Sequence, residues 1–338
     1  MATPDETDLS EALDTVERYL LGDAPTLTRI EVCEQAGVPI QVAEELWRQL
    51  GFPHQPDDAV AFTQADVRAL EYTHDLVKLG ILGPERQAAL VRTWGRSFAR
   101  LAEWQTRLLT DAALESTDPV QQVTDLASEV LPRVEALQAY VWRRHLASAG
   151  NRLMASDSAG SDTSRLAVVF VDIVGFTSRS KELTEAELVQ WIEYFEAECS
   201  GLVVDHGGRV IKNIGDEVLF VADDVAQAAD AALTMTARGS DPEDDFPEVR
   251  AGLTYGDVVS RLGDVFGPTV NIASRLTSVA RPGSVLIDRG AHDALTGDTE
   301  DHHHEEREHA GFSFRRMRRT SVKGYSRLQS WVLRRAAP

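Results

Sequence analysis

The stretch Val168-Val169-Phe170-Val171-Asp172-Ile173-Val174-Gly175-Phe176-Thr177 constrains this chain more than any other. Its start, β-branched and aromatic with no polar interruption, predicts a strand buried on both faces. A single carboxylate, Asp172, then stands where the strand ends, and Gly175 breaks the pattern before a polar loop and a helix. An acid at the mouth of an apolar strand is costly to bury unless something pairs with it. A hard cation is one such partner, because it takes carboxylate and carbonyl oxygens. A buried aspartate satisfied by hydrogen bonds is the other reading, and three later stretches decide between them.

The 338 residues suffice for two domains. With 54 acids against 34 bases the formal charge is −20, a field that repels nucleic acid. No apolar run of membrane-spanning length occurs. The acidic N-terminus lacks the basic start and apolar core of a signal peptide. Cys33 and Cys199 lie far apart and suggest neither a disulfide framework nor a zinc site. These features predict a reduced, cytoplasmic protein.

Residues 1–150 read as an all-helical domain. Leu9, Leu13, Val16 and Leu20 recur at helical spacing. From Thr28 to Leu70 the chain resembles the helix-turn-helix of MerR-type regulators. The first helix and turn run to Pro39, the second helix covers Val42 to Leu50, and Thr63 caps a third. That segment holds three arginines, no lysine and seven acids. A groove-reading helix needs cations for the phosphates, so a helical scaffold is the better reading. Further on, Leu70, Thr73 and Val77 share one helical face, and Leu90, Trp94, Phe98, Leu101, Trp104 and Leu108 share another. Such an aromatic stripe predicts core or a dimer seam. Asp118-Pro119 breaks the pattern, and Pro132 opens a last helix expected to end near Gly150-Asn151. That helix carries Arg143-Arg144-His145. The small polar residues from Ser156 to Ser164 form a linker, giving domains over 1–150 and 164–338 joined by 151–163.

The second domain alternates element types. Strands are expected at Arg165–Val171, Arg209–Ile214, Glu217–Val221 and Val249–Tyr255. Helices are expected at Glu185–His206 and Val225–Ala237. The order β-α-β-β-α-β is that of a ferredoxin-like domain, so the whole chain is of the α+β class. A helix over Gly267–Val279 and strands at Ser284–Ile287 and Ser330–Leu333 follow. His302-His303-His304 lies among acids without rigid ligand spacing and reads as an exposed loop.

Gly215-Asp216 forms the tip of a hairpin between the second and third strands. In this topology the first strand pairs beside the hairpin, so Asp172 and Asp216 can meet. Two converging acids repel unless cations bridge them, and two divalent ions between such acids make a phosphoryl-transfer site. Here the resemblance becomes specific. Phe170 to Thr177, Lys212-Asn213-Ile214-Gly215-Asp216, and Asp264 to Arg275 resemble, in order and spacing, three motifs of class III nucleotidyl cyclases. The resemblance covers roughly residues 164–335. It implies conversion of a nucleoside triphosphate to its 3′,5′-cyclic monophosphate and pyrophosphate. It implies that Asp172, Asp216 and the Ile173 carbonyl bind two Mg²⁺ or Mn²⁺ ions, and that Lys212 and Asp264 read the base. It further implies that Asn271 orients the ribose, that Arg275 stabilises charge on the α-phosphate, and that Arg250 and Lys323 contact the phosphates. Lys212 is a pure donor and ionised Asp264 a pure acceptor, which suits N1 and N6 of adenine and mismatches guanine, so ATP is the expected substrate. In the family each site lies between two cyclase domains. One copy here carries both residue sets, so a homodimer with two shared sites is expected.

Two rival readings stand beside this one: an ATP-binding sensor without turnover, and a DNA-binding regulator. The order of helical domain, basic helix, linker and cyclase also resembles actinobacterial cyclases whose N-terminal half is an autoinhibitory, acid-responsive module. The resemblance rests on Tyr140-Val141-Trp142-Arg143-Arg144-His145-Leu146. Histidine is the side chain whose unperturbed charge change falls nearest physiological pH, so His145 is the candidate sensor. A passive dimerisation domain is the alternative.

Overall fold

The computed structural model describes residues 16–79, 84–155, 163–297, 306–317, 320–322 and 325–336. Leu9, Leu13, most of the Ser/Gly linker, the three histidines at 302–304 and Lys323 lie outside the described residues. The chain divides into two compact units, Met1–Ala155 and Ser156–Pro338.

The first unit is helical. Thr28 starts α1 (Arg29–Ala36) through a capping box: its hydroxyl accepts from the Glu31 N–H, while the Glu31 carboxylate accepts the Thr28 N–H. Gly37 ends α1 in the left-handed region at φ 65°, and α2 (Ile40–Leu50) and α3 (Gln64–Lys78) complete the expected three-helix shape. Val32, Cys33, Val38, Ala43, Val67 and Leu70 are its core. Arg29 is buried and paired with Glu44 and Asp57, and Arg48 pairs with Glu45. Two of the three arginines of the helix-turn-helix segment are thus committed to acids of the same unit.

The 31-residue α4 (Pro84–Leu114) packs across the end of α2. Contact is so close that a Cβ at Gly95 would lie 2.3 Å from the Leu50 carbonyl oxygen. Of the aromatic stripe, expected as core or a dimer seam, Trp94, Phe98, Trp104 and Leu108 are exposed among the described residues. Asp118-Pro119 breaks the pattern as expected, and Asp118 caps α5 (Pro119–Asp125), its carboxylate accepting from the Gln121 N–H. Pro132, however, opens no new helix. α5 continues through a π-helical turn at Leu126–Val130 into α6 (Leu131–Ala155). A proline lacks an N–H and crowds the carbonyl four residues earlier, and the wider π turn sits where that carbonyl falls. α6 also runs past Gly150-Asn151 to Ala155.

The second unit is built on a sheet of nine strands among the described residues, in the spatial order Arg209–Ile214, Glu217–Ala222, Thr163–Ile173, Val249–Arg261, Val285–Asp288, Ser330–Arg335, Phe312–Arg316 and Glu306–His309, with Asp264–Phe266 beside Val249–Arg261. Its first half is the ferredoxin-like core: β1 (Thr163–Ile173), α8 (Glu185–Asp205), β2 (Arg209–Ile214), β3 (Glu217–Ala222), α9 (Val225–Arg238) and β4 (Val249–Arg261). A single turn, α7 (Phe176–Arg179), precedes α8. β1 lies between β3 and β4 and is antiparallel to both. β5 (Asp264–Phe266) folds back on the end of β4, and α10 (Pro268–Val279) leads to β6 (Val285–Asp288), which runs parallel to β4. Then come α11 (Arg289–Thr296), β7 (Glu306–His309), β8 (Phe312–Arg316) and β11 (Ser330–Arg335). β9 (Thr320–Val322) and β10 (Tyr325–Leu328) form a separate hairpin.

Both faces of β1 are covered. Val169 and Val171 face Phe195, Cys199 and Met235 of α8 and α9, whereas Leu166, Val168 and Phe170 cluster with Ala273 of α10. That explains the unbroken apolar run: a strand with helices on both sides has no solvent face to make polar. α10 comes very near the sheet. A Cβ at Gly252 would meet the Ala273 carbonyl oxygen at 2.4 Å, and the Thr277 hydroxyl lies 3.3 Å from the Phe170 carbonyl, to which it donates.

Asp288 ends β6 and caps α11, accepting from the Ala291 N–H at 2.8 Å and the Tyr255 N–H at 3.3 Å. Burial pushes its carboxyl up from near 3.8 to about 6, against the pull of those N–H groups. The folded chain therefore holds this proton more tightly than the unfolded one. Its contribution to stability is full below pH 3.8 and is lost as pH rises through about 6. Asp288→Asn keeps an oxygen at the cap and removes the charge. Relative to the unsubstituted protein, its melting temperature should rise between pH 4.5 and pH 8, by the few degrees that correspond to about 2 kcal/mol. A difference independent of pH would count against a buried ionised Asp288.

Candidate active site

The hairpin brings the two predicted acids together. Asp172 lies on β1 directly opposite Glu217 of β3, one residue past Asp216. The Ile173 N–H donates to the Asp216 carbonyl oxygen at 3.1 Å, tying the end of β1 to the β2–β3 turn. Gly215 makes that turn possible with φ 65°. On the other side, the Val174 N–H donates to the Glu248 carbonyl at 2.8 Å, and Gly175, at φ 72°, turns the chain into α7. Phe176 anchors that turn by stacking on Trp191 of α8, with ring centroids 5.7 Å apart.

The charges here are crowded. Burial raises the Asp216 carboxyl above its usual range, and the neighbouring Asp172 adds to the rise. Glu217, which the sequence reading passed over as a strand residue, is the third acid of the group. Burial, then Asp172 and Asp216, push it up to about 7. The signal was present in the text, since Glu217 opens an otherwise apolar strand immediately after Asp216. Asp172 also has a protein partner that the sequence did not reveal. Arg250 of β4 sits opposite it in register, with Nε 2.7 Å and Nη2 2.6 Å from Oδ2.

Among the described residues no cluster of three or more His, Cys, Asp or Glu side chains could enclose a metal unaided. Two aspartates with raised or crowded charge suit a more open arrangement. Mg²⁺ and similar ions are commonly held by one or two carboxylates, with phosphate oxygens and water completing the shell. The donor set therefore fits divalent cations that arrive with a polyphosphate.

The predicted base readers meet across the sheet. Lys212 of β2 and Asp264 of β5, 52 positions apart, form an ion pair of 2.5 Å. Lys212 is exposed and Asp264 partly so, leaving both ends within reach of a ligand. Asn271 and Arg275 stand one turn apart on α10, four residues being the spacing that places side chains on one helix face. Neither side chain has a hydrogen-bond or ion-pair partner among the described residues. Nor does any such bond join Asp172 or Asp216 to Lys212, Asp264, Asn271 or Arg275. Ile173 is buried at the strand end, and Lys323 lies outside the described residues.

Comparison with known proteins identifies the family of the chain that carries these residues. Residues 160–335 match the adenylate and guanylate cyclase catalytic domain, and residues 6–142 match the adenylate cyclase regulatory domain. The chain belongs to the adenylate and guanylate cyclase family, in the form that carries a regulatory domain. It is 35% identical to an adenylate cyclase of Glutamicibacter nicotianae, over 96% of this chain and 82% of that protein. An adenylate cyclase of Streptomyces coelicolor is 39% identical over 85% of this chain and 75% of its own length. A pH-sensitive adenylate cyclase of Mycobacterium tuberculosis is 30% identical over 87% and 76%. No helix among the described residues is long and apolar enough to cross a membrane.

Proposed function

We propose that this protein converts ATP to 3′,5′-cyclic AMP and pyrophosphate, in a homodimer whose active sites draw on both chains. The observation that carries the substrate assignment is the Lys212–Asp264 pair. It offers a donor beside an acceptor, complementary to adenine N1 and N6 and mismatched to guanine at both positions. Buried mismatches discriminate strongly between ligands of one shape.

In this reading Asp172, Asp216 and the Ile173 carbonyl hold two Mg²⁺ or Mn²⁺ ions. Bound there, such ions supply a lowered pKa for the ribose 3′-hydroxyl and charge neutralisation on the triphosphate. The chain's own groups do the rest. Asn271 orients the ribose for in-line attack on the α-phosphorus. Arg275 meets the charge that grows on the α-phosphate, a task suited to a planar fork giving two hydrogen bonds. Arg250 and Lys323 contact the phosphates. Pairing of two copies is supported by the apolar groups left exposed around the base readers: Ile214 beside Lys212, and Val259, Leu262 and Phe266 on the β4–β5 hairpin that carries Asp264.

Shared sites have a distinctive consequence. Asp172→Ala and Arg275→Ala chains should each be inactive alone. Mixed in equal amounts, they should regain about a quarter of the wild-type rate, because half the dimers are mixed and each holds one intact site. No recovery, with mixed dimers shown to form, would remove the shared-site reading. If ATP is bound but never turned over by the unsubstituted protein with Mn²⁺, the sensor reading replaces the cyclase.

Base choice is tested separately. Lys212→Glu combined with Asp264→Cys should lower kcat/KM for ATP by at least about tenfold, since glutamate cannot donate to adenine N1. Unchanged ATP kinetics would mean that these residues do not read the base.

The helical unit is proposed to restrain the cyclase in a pH-dependent way. A site split between two chains works only when they are placed within a fraction of an ångström, and a helix leading toward each cyclase unit can set that placement. His145 is exposed on α6 beside Arg144. Turnover of the full chain should rise in mild acid, whereas residues 151–338 alone should lack that rise, and His145→Ala should shift its midpoint. Identical profiles and specific activities for the two would make residues 1–150 a passive domain.

A further inference from the structure

Arg250 lies at the junction of two demands. In the antiparallel register it faces Asp172 across β1 and β4. Two of its nitrogens converge on the same oxygen, Asp172 Oδ2, at 2.6 and 2.7 Å. Its Nη1 donates to the Ser278 carbonyl at 3.4 Å, near the end of α10. Asp172, Asp216 and Glu217 form a group of three acids, and Arg250 is the cation whose charge acts on the latter two. Asp172 is only 15% exposed and Arg250 33%, so the pair is partly desolvated and its charges are poorly screened.

A divalent cation and a guanidinium cannot both sit against that carboxylate oxygen without strong repulsion. We propose that Arg250 is a displaceable counter-ion. In the nucleotide-free protein it occupies the carboxylate that a divalent cation takes, and it moves to the triphosphate when cation and nucleotide arrive together. The proposal rests on the metal and nucleotide reading above, and adds what Arg250 does before substrate is present. Three acids left unpaired would destabilise the empty site, and the internal pair removes that cost. It also makes the free cation a poor ligand and its nucleotide complex a good one. Only the complex brings phosphates to accept the released guanidinium, so cation and nucleotide bind with positive coupling.

The test is Mn²⁺ binding to the full chain without nucleotide, read from the paramagnetic resonance signal of free Mn²⁺. Arg250→Gln should bind Mn²⁺ at least about tenfold more tightly than the unsubstituted protein, a factor within the usual range of coupling between sites. Arg250→Lys, which keeps the charge, should stay within about threefold of it. The Mn²⁺–nucleotide complex should bind Arg250→Gln less tightly, so the coupling shrinks from both sides. Affinity in Arg250→Gln equal to or weaker than wild type overturns the proposal, as does Arg250→Lys behaving like Arg250→Gln. Asp172→Asn separates the two levels of the argument. If it abolishes Mn²⁺ binding while Arg250→Gln leaves it unchanged, the metal reading stands and the counter-ion role falls. If Asp172→Asn binds Mn²⁺ as the wild type does, the metal reading itself has failed.

Discussion

The ion pair between Asp172 and Arg250 answers a problem that the fold itself creates. β1 is covered on both faces from Leu166 to Val171, so whatever stands at its end is held in place by a rigid, dry strand. An acid there is well positioned and badly solvated. The β2–β3 turn adds Asp216 and Glu217 to the same corner, and their carboxyls rise in response. Within the protein, the positive charge of Arg250 on Asp172 offsets part of the cost of that corner. Poor solvation and rigid placement are also what electrostatic catalysis requires, since fixed charges act more strongly where water is excluded.

The same sheet organises the remaining groups. α10 carries Asn271 and Arg275, and it lies against β1 and β4 with almost no clearance: Gly252 admits the Ala273 carbonyl, and the Thr277 hydroxyl donates to the Phe170 carbonyl two residues before Asp172. In the proposed dimer the acids of one chain act with Arg275 of the other. Within each chain α10 and the end of β1 are thus held directly against one another.

Much of this was legible in the text. The order of strands and helices in the ferredoxin-like core followed from periodicity and turn residues, and the register placed Asp172 beside the β2–β3 hairpin as topology demands. The meeting of Lys212 and Asp264 over 52 positions was expected from family resemblance and is seen as a direct ion pair. What escaped was of two kinds. Arg250 could be assigned to phosphates but not to Asp172, since cross-strand partners depend on a register that a single strand does not encode. The path of the chain at Pro132 was misread because proline usually marks a helix boundary. A π turn that absorbs its missing N–H has no sequence mark of its own.

The aromatic stripe of α4 shows what periodicity leaves open. Its spacing predicted core or a dimer seam, and Trp94, Phe98 and Trp104 are exposed among the described residues, as are Tyr140, Trp142 and Leu146 of α6. Periodicity reports that a face is apolar and not what covers it. In the cyclase unit the covering elements belong to the same chain: α8 and α9 on one side, α10 on the other. In the helical unit the described residues leave these faces open. A regulatory domain needs surfaces whose partners can change with conditions, whereas a catalytic core needs surfaces whose partners cannot. The two units divide along that line. β1 is fixed by packing on both faces and places Asp172 invariantly. α6 is a long helix whose Tyr140, Trp142 and Leu146 are exposed among the described residues, surfaces of the kind that the proposed restraint calls for.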